Sequence, residues 1–389
     1  MHLVDITMFY AAEGGGVSTY LNAKARWLAG YGWARHTIFS PNVSDEDSAP
    51  GAAGERGSTL VRVPAVALPG IHGYRMPLSV ASAVRLLRAA RPDLVEAGDA
   101  GHCAWAALRL QQRLGIPAIA FYHSDLPRLV ENRFGHTRFG HTISQGSCKY
   151  LAHLYREFDL VLAPSRLMVR QLDEMGVAHA LHQPLGIDSD VFHPSRRRST
   201  LRAELGLPEG VRLLVYAGRF TADKKLPLLV DAVHKLGPRY HLLLVGGGGQ
   251  LAPCAQLSFM PFQRDQRALA GVLASCDLLV HPGDCETFGL IVLEAMACGL
   301  PVVATTGGGV AELVDEHTGI LARPNDVDSL AGAIEAVYAR DMARLGAQAR
   351  RKAQDQYDWR QIFPQLMHRY GSLLARPAQR ALERVCVTD

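Results

Sequence analysis

Short apolar runs alternate with longer stretches of helical periodicity along the whole chain, and the alternation starts afresh about midway. Near the beginning LVDITMF reads as a strand, AAEGGGVS as a glycine loop, TYLNAKARWLAGYG as a helix and HTIFS as the next strand. DLVEA (93–97), AIAFYH (118–123) and LVLAPS (160–165) follow, each closing at a turn or a polar residue. After residue 190 the runs VRLLVYAG (211–218), YHLLLVG (240–246), DLLVHP (277–282) and PVVATTGGG (301–309) repeat the scheme. Strands of this kind separated by helices argue for parallel sheets covered by helices on both faces. The expected fold is α/β, with two Rossmann-like, doubly wound domains facing across a cleft. They are placed at 1–190 and 191–360, joined by LGIDSDVFHPSRRRS, and a last helix in 361–389 is expected to pack back on the first domain. Residues 42–59, rich in Ser, Asp, Gly and Ala, read as an exposed loop.

At 389 residues with 48% apolar content the chain can bury two cores. A net charge of +4 does not argue for nucleic acid. Its seven cysteines form no CxxC pair, which speaks against a zinc site or a disulfide framework and for a reducing compartment. MHLVDITMFY is too short and too polar-flanked for a secretory leader, and no window of about 18 apolar residues offers a membrane span. A cytoplasmic protein is expected.

In open α/β sheets ligands sit beyond the carboxyl ends of the strands, so the cleft is the expected site. The richest segment is HPGDCETFGLIVLEAMACGLPVVAT, 281–305. A buried strand delivers Glu286 into a loop, and Phe288, Gly289 and Leu290 open a helix whose first N–H groups suit an anion or a hydroxyl. Glu294 follows eight residues after Glu286, so one carboxylate can take a sugar hydroxyl while the other takes a ribose diol. After another strand comes GRFTADKK, 218–225, in which Arg219 offers a planar fork and Lys224 a point charge. Gly14–Gly16 forms a strand-to-helix turn that is a poor dinucleotide fingerprint, since Thr19 stands where its third glycine belongs, and there is no phosphate loop of the G-x-x-x-x-G-K-[ST] type. His123 ends the strand AIAFYH, at the carboxyl end of the first sheet's strands.

ETFGLIVLEAMACGLPVVA, Glu286 to Ala304, closely resembles the signature of the retaining glycosyltransferases of family 4, which have the GT-B fold. The resemblance implies that Glu286 meets the donor sugar and Glu294 the ribose, and that Arg219 and Lys224 hold the donor diphosphate. GRFTADKK departs from the family pattern at Lys225, where glycine is usual. Further implied donor contacts are the Gly15–Gly16 turn, the helix start at Phe288, Gly289 and Leu290, and Phe262 beside the nucleobase; His123 resembles the family's acceptor-side histidine. LGIDSDVFHP resembles the landmark before the second domain, so Asp188 and Asp190 are not read as a metal-binding DxD, and no metal or cofactor is expected. FYHSDLP together with HPGDCETFGL looks most like the GDP-mannose branch, with UDP-glucose-type donors as the alternative. The acceptor is expected to be a lipid or a saccharide. Seven basic residues against three acidic in 126–170 suggest peripheral contact with anionic lipid at the inner face of the membrane, with a solvated basic face equally open. A glycoside hydrolase using Glu286 and Glu294 is the competing class, but it would leave Arg219 and Lys224 without a task. A non-catalytic nucleotide-sugar-binding protein is the third.

Overall fold

The computed structural model describes residues 1–10, 14–44, 57–67, 75–134, 137–249 and 251–386; most of the expected 42–59 loop lies outside them. The first sheet is built from β1 (His2–Ile6), β2 (Arg35–Ser40), β3 (Thr59–Arg62), β6 (Leu94–Ala97), β7 (Ala118–Phe121), β8 (Leu160–Ala163) and β9 (Ala180–His182). β4 (Ala65–Ala67) and β5 (Arg75–Pro77) make a separate antiparallel pair. The second sheet comprises β10 (Arg212–Arg219), β11 (Tyr240–Gly247), β12 (Leu257–Met260), β13 (Leu278–His281), β14 (Val302–Thr305) and β15 (Gly319–Ala322).

The strand orders are β3-β2-β1-β6-β7-β8-β9 and β12-β11-β10-β13-β14-β15, and the pairs within both sheets are parallel. Both are doubly wound, and the order reverses beside β1 and β10, where such sheets open a crevice for ligand. The inner strands are buried on both faces, β1, β6, β7, β8, β13 and β14 along their whole length, because helices cover each side. This is the GT-B architecture.

The halves are tied together behind the cleft. The Ile187 N–H donates to the Tyr357 carbonyl at 2.8 Å, and the Trp359 N–H returns to the Ile187 carbonyl at 2.9 Å. Asp358 accepts from the Ser189 hydroxyl at 2.6 Å and pairs with Arg360 at 2.8 Å. The final helix, Trp359–Cys386, then crosses to the first half. Its Ile362, Phe363, Leu366 and Tyr370 share one buried core with Tyr20 and Leu28 of the helix Gly16–Tyr31.

Candidate active site

The expected site residues follow strands at the reversal point or one strand away from it, except Phe262, which follows the edge strand β12. β10 ends at Arg219, and the 3-10 turn Ala222–Lys224 brings Lys224 back toward the loop after β13. There the Lys224 ammonium meets Glu286 Oε1 at 2.7 Å and Asp223 at 2.8 Å, while His281 Nε2 stands 3.4 Å from the same glutamate. Burial alone would raise the Glu286 pKa, but Lys224 and His281 outweigh it and hold the carboxyl well below its usual range. Burial likewise opposes the charge on Lys224, and Glu286 with Asp223 raises its pKa above the ordinary lysine value. An ammonium has three donors, so with two carboxylates engaged one N–H is left for a ligand. Arg219 is exposed at the rim.

Lys225 adopts φ +52°, the left-handed region that glycine enters freely, which gives a physical reason for glycine as the usual residue there. Its charge is committed, since Nζ lies 2.5 Å from Asp284 and 2.6 Å from Asn325. The positive charge of Lys225 therefore does not add to a diphosphate site.

The Glu286 loop is held by glycines on both sides of it. The Gly309 N–H donates to the Glu286 carbonyl at 2.6 Å. A Cβ on Gly289, at φ +102°, would stand 2.5 Å from Val310 Cγ2, so no other residue fits at the start of the helix Leu290–Ala297 without displacing Val310. Phe288 is 3% exposed and packs against Tyr357, so its side chain belongs to the core and only its main chain is left for a donor. Glu294 is buried in the helix interior, and desolvation pushes its pKa up to about 7. Unlike Glu286, it has no ion pair among the described residues. The two glutamates therefore have opposite characters, one held ionised and one poised between forms at neutral pH.

The facing wall comes from the first half. His123 follows β7, its ring stacked on Phe121 at 4.3 Å and tilted against Tyr20 at 5.5 Å. Burial lowers its pKa to about 3, so the imidazole is neutral. Thr287, next to Glu286, donates its hydroxyl to the His123 carbonyl at 3.0 Å, joining the two walls. A Cβ on Gly14 would lie 3.3 Å from the Phe262 ring and one on Gly16 3.5 Å from Leu290 Cδ1, so the glycine turn lies against the second half. Gly15, at φ +127°, has nothing within 4 Å of a Cβ position and faces open space. Phe262 is 47% exposed at the same mouth.

Two features escaped the sequence reading. Glu312 reaches from the second half to the helix Arg166–Glu174, accepting from the Arg166 and Leu167 N–H groups at 2.9 and 2.6 Å. Beneath His123 lies a buried ionic cluster. Lys24, 1% exposed, donates to Asp5 at 2.9 Å, Glu96 at 3.3 Å and Tyr370 Oη at 2.8 Å, and His36 meets Asp5 at 2.5 Å. The clue was charge in the wrong place: Asp5 and Glu96 interrupt runs that must be buried, and Lys24 sits on the covered face of its helix. Asp188, by contrast, caps its own turn through the Asp190 and Val191 N–H groups at 3.1 Å.

Two doubly wound sheets closing one cleft over an anchored carboxylate and its cations define a glycosyltransferase of the GT-B class. The family description "Glycosyltransferase Family 4" matches residues 14–191, and "Glycosyl transferases group 1" matches 197–355. The chain is therefore a glycosyltransferase, its first half carrying the family 4 match and its second half the group 1 match. It is 28% identical, over 96% of its length and 97% of the relative's, to a GDP-mannose-dependent alpha-(1-6)-phosphatidylinositol dimannoside mannosyltransferase of Mycobacterium tuberculosis. Among solved structures it resembles the sucrose-phosphate synthase of Thermosynechococcus elongatus, with TM-score 0.80 and 23% identity over 97% of this chain and 100% of that one. It also resembles the Anabaena protein HepE in complex with UDP and glucose, with TM-score 0.75 and 19% identity over 95% and 99%. No helix among the described residues is long and apolar enough to cross a membrane.

Proposed function

We propose that the chain transfers mannose from GDP-mannose to a lipid or saccharide acceptor, retaining the anomeric configuration and using protein cations in place of a divalent metal. The observation that carries this reading is the Thr287–His123 contact, which sets the Lys224–Glu286 pair on one wall opposite a neutral histidine on the other. Glu286, held ionised, accepts from hydroxyls of the donor sugar. Glu294 takes the ribose diol, Phe262 lies beside the base, and the N–H groups of Gly15, Gly16, Gly289 and Leu290 line the route of the diphosphate. As the bond from the anomeric carbon to the phosphate oxygen breaks, Arg219 and the free N–H of Lys224 stabilise the charge that develops. The acceptor oxygen bonds the same carbon on the same face, and its proton passes to the departing phosphate. His123 lends its dipole to the transferred sugar.

The mannosyl donor is favoured by the full-length relative that uses GDP-mannose, and a UDP-sugar by the likeness to a protein crystallised with UDP and glucose. A phosphatidylinositol-type lipid acceptor suits the basic helices of 126–170. Nucleotide release and calorimetry on purified protein with GDP-mannose and UDP-glucose, each with a lipid extract as acceptor, test the reading. Turnover of GDP-mannose at least about tenfold above UDP-glucose is expected, a margin of roughly 1.4 kcal/mol. Preference for UDP-glucose would replace the donor. Sugar release without transfer would favour a hydrolase, and binding without release a non-catalytic protein.

A further inference from the structure

A second basic site lies on the outer edge of the first sheet. Arg166 and Arg170, four residues apart on the helix Arg166–Glu174, project on one face. With Val169, Leu181, His182 and Arg369 they line a cavity of about 520 Å³ whose lining has no acidic residue. Arg369 comes from the C-terminal helix and is only half exposed, its Nη2 donating to the His182 carbonyl at 2.9 Å. Burial lowers its pKa, and burial likewise lowers that of His182, so one cation of the set is partly stripped of water. Glu312, the carboxylate felt at His182, is already committed to the Arg166 and Leu167 N–H groups. Among the described residues none of the three guanidinium groups has an ion-pair partner, and a partly buried cation without one is costly. Planar forks match the oxygens of a tetrahedral phosphate two at a time, while Val169 and Leu181, the latter 43% exposed, offer apolar walls for whatever the phosphate is attached to.

We infer that the Arg166–Arg170–Arg369 cavity is a binding site for a phosphate monoester, separate from the donor diphosphate site at Arg219 and Lys224. It does not depend on the sugar donor assigned above. A phosphate group could reach it on a lipid headgroup or on a free metabolite.

Calorimetry of the full chain with inorganic phosphate tests the site. Saturable binding is expected in the wild type, weakened at least about tenfold in the Arg166→Ala/Arg170→Ala variant, as loss of charge-assisted hydrogen bonds implies. Both residues are exposed, so the variant should keep its melting temperature. Arg219→Ala, which alters the other cation cluster, should keep the binding that the double variant loses. Absence of saturable binding in the wild type would overturn the inference. So would unchanged binding in the double variant, or loss in Arg219→Ala alone. Competition then separates the sources: displacement of phosphate by vesicles containing phosphatidylinositol 4-phosphate assigns a lipid headgroup, and displacement only by glycerol 3-phosphate a soluble monoester.

Discussion

At the scale of single residues, Glu286 and Glu294 differ in charge because their surroundings differ. The first is held ionised by Lys224 and His281, and the second is raised to about 7 by burial alone. The sign of the consequence is fixed. A carboxyl whose folded pKa lies above its unfolded value keeps its proton longer in the native state, so its contribution falls as pH rises from about 4.5 to about 7 and stays low above. Glu294→Gln should therefore raise the melting temperature of the unliganded protein at pH 8, by roughly 2–3 kcal/mol in stability, and change it little at pH 4.5. Equal effects at both pH values would show that the carboxyl is not desolvated as described. Arg219→Ala and Lys224→Ala should each lower turnover about 10²–10³-fold, which steady-state kinetics with saturating donor would read, and near-wild-type rates in both would remove the diphosphate assignment. Glu286, Glu294, Arg219 and Lys224 were legible because their spacing falls within single strand-loop-helix units. The Lys24–Asp5–Glu96–Tyr370 cluster was not, because its members lie on four separate elements and only the folded chain brings them together.

At the scale of elements, the apolar runs located most inner strands to within a residue or two, as DLVEA did for β6 and LVLAPS for β8. The short edge strands β9, β12 and β15 and the β4–β5 pair carry few buried residues, so no continuous apolar run announces them. Glu312 could not be assigned from sequence either, since its partners are backbone N–H groups at the start of a helix nearly 150 residues earlier. A carboxylate at a helix start satisfies donors that otherwise lack partners, and its loss typically costs about 1 kcal/mol. Glu312→Ala should therefore speed hydrogen exchange of the Arg166 and Leu167 amides and leave the second sheet's core unchanged. Undisturbed protection at those amides would mean that the contact does not persist in solution.

At the scale of the whole molecule, the cleft is bridged near its mouth by contacts such as Thr287 to His123, while the Ile187–Trp359 pairing and the C-terminal helix form the hinge side. A donor held by loops from both halves should draw them together and exclude water. Small-angle scattering should show a smaller radius of gyration at saturating nucleotide sugar, and an unchanged radius would argue against closure on the donor. The central claim is that transfer proceeds with retention, the leaving diphosphate being stabilised by Arg219 and Lys224. Proton NMR of the product formed from GDP-mannose in excess EDTA tests it most directly. An α-linked mannoside formed at an undiminished rate is expected; a β-linked product, or activity lost to the chelator and restored by manganese, would contradict this mechanism.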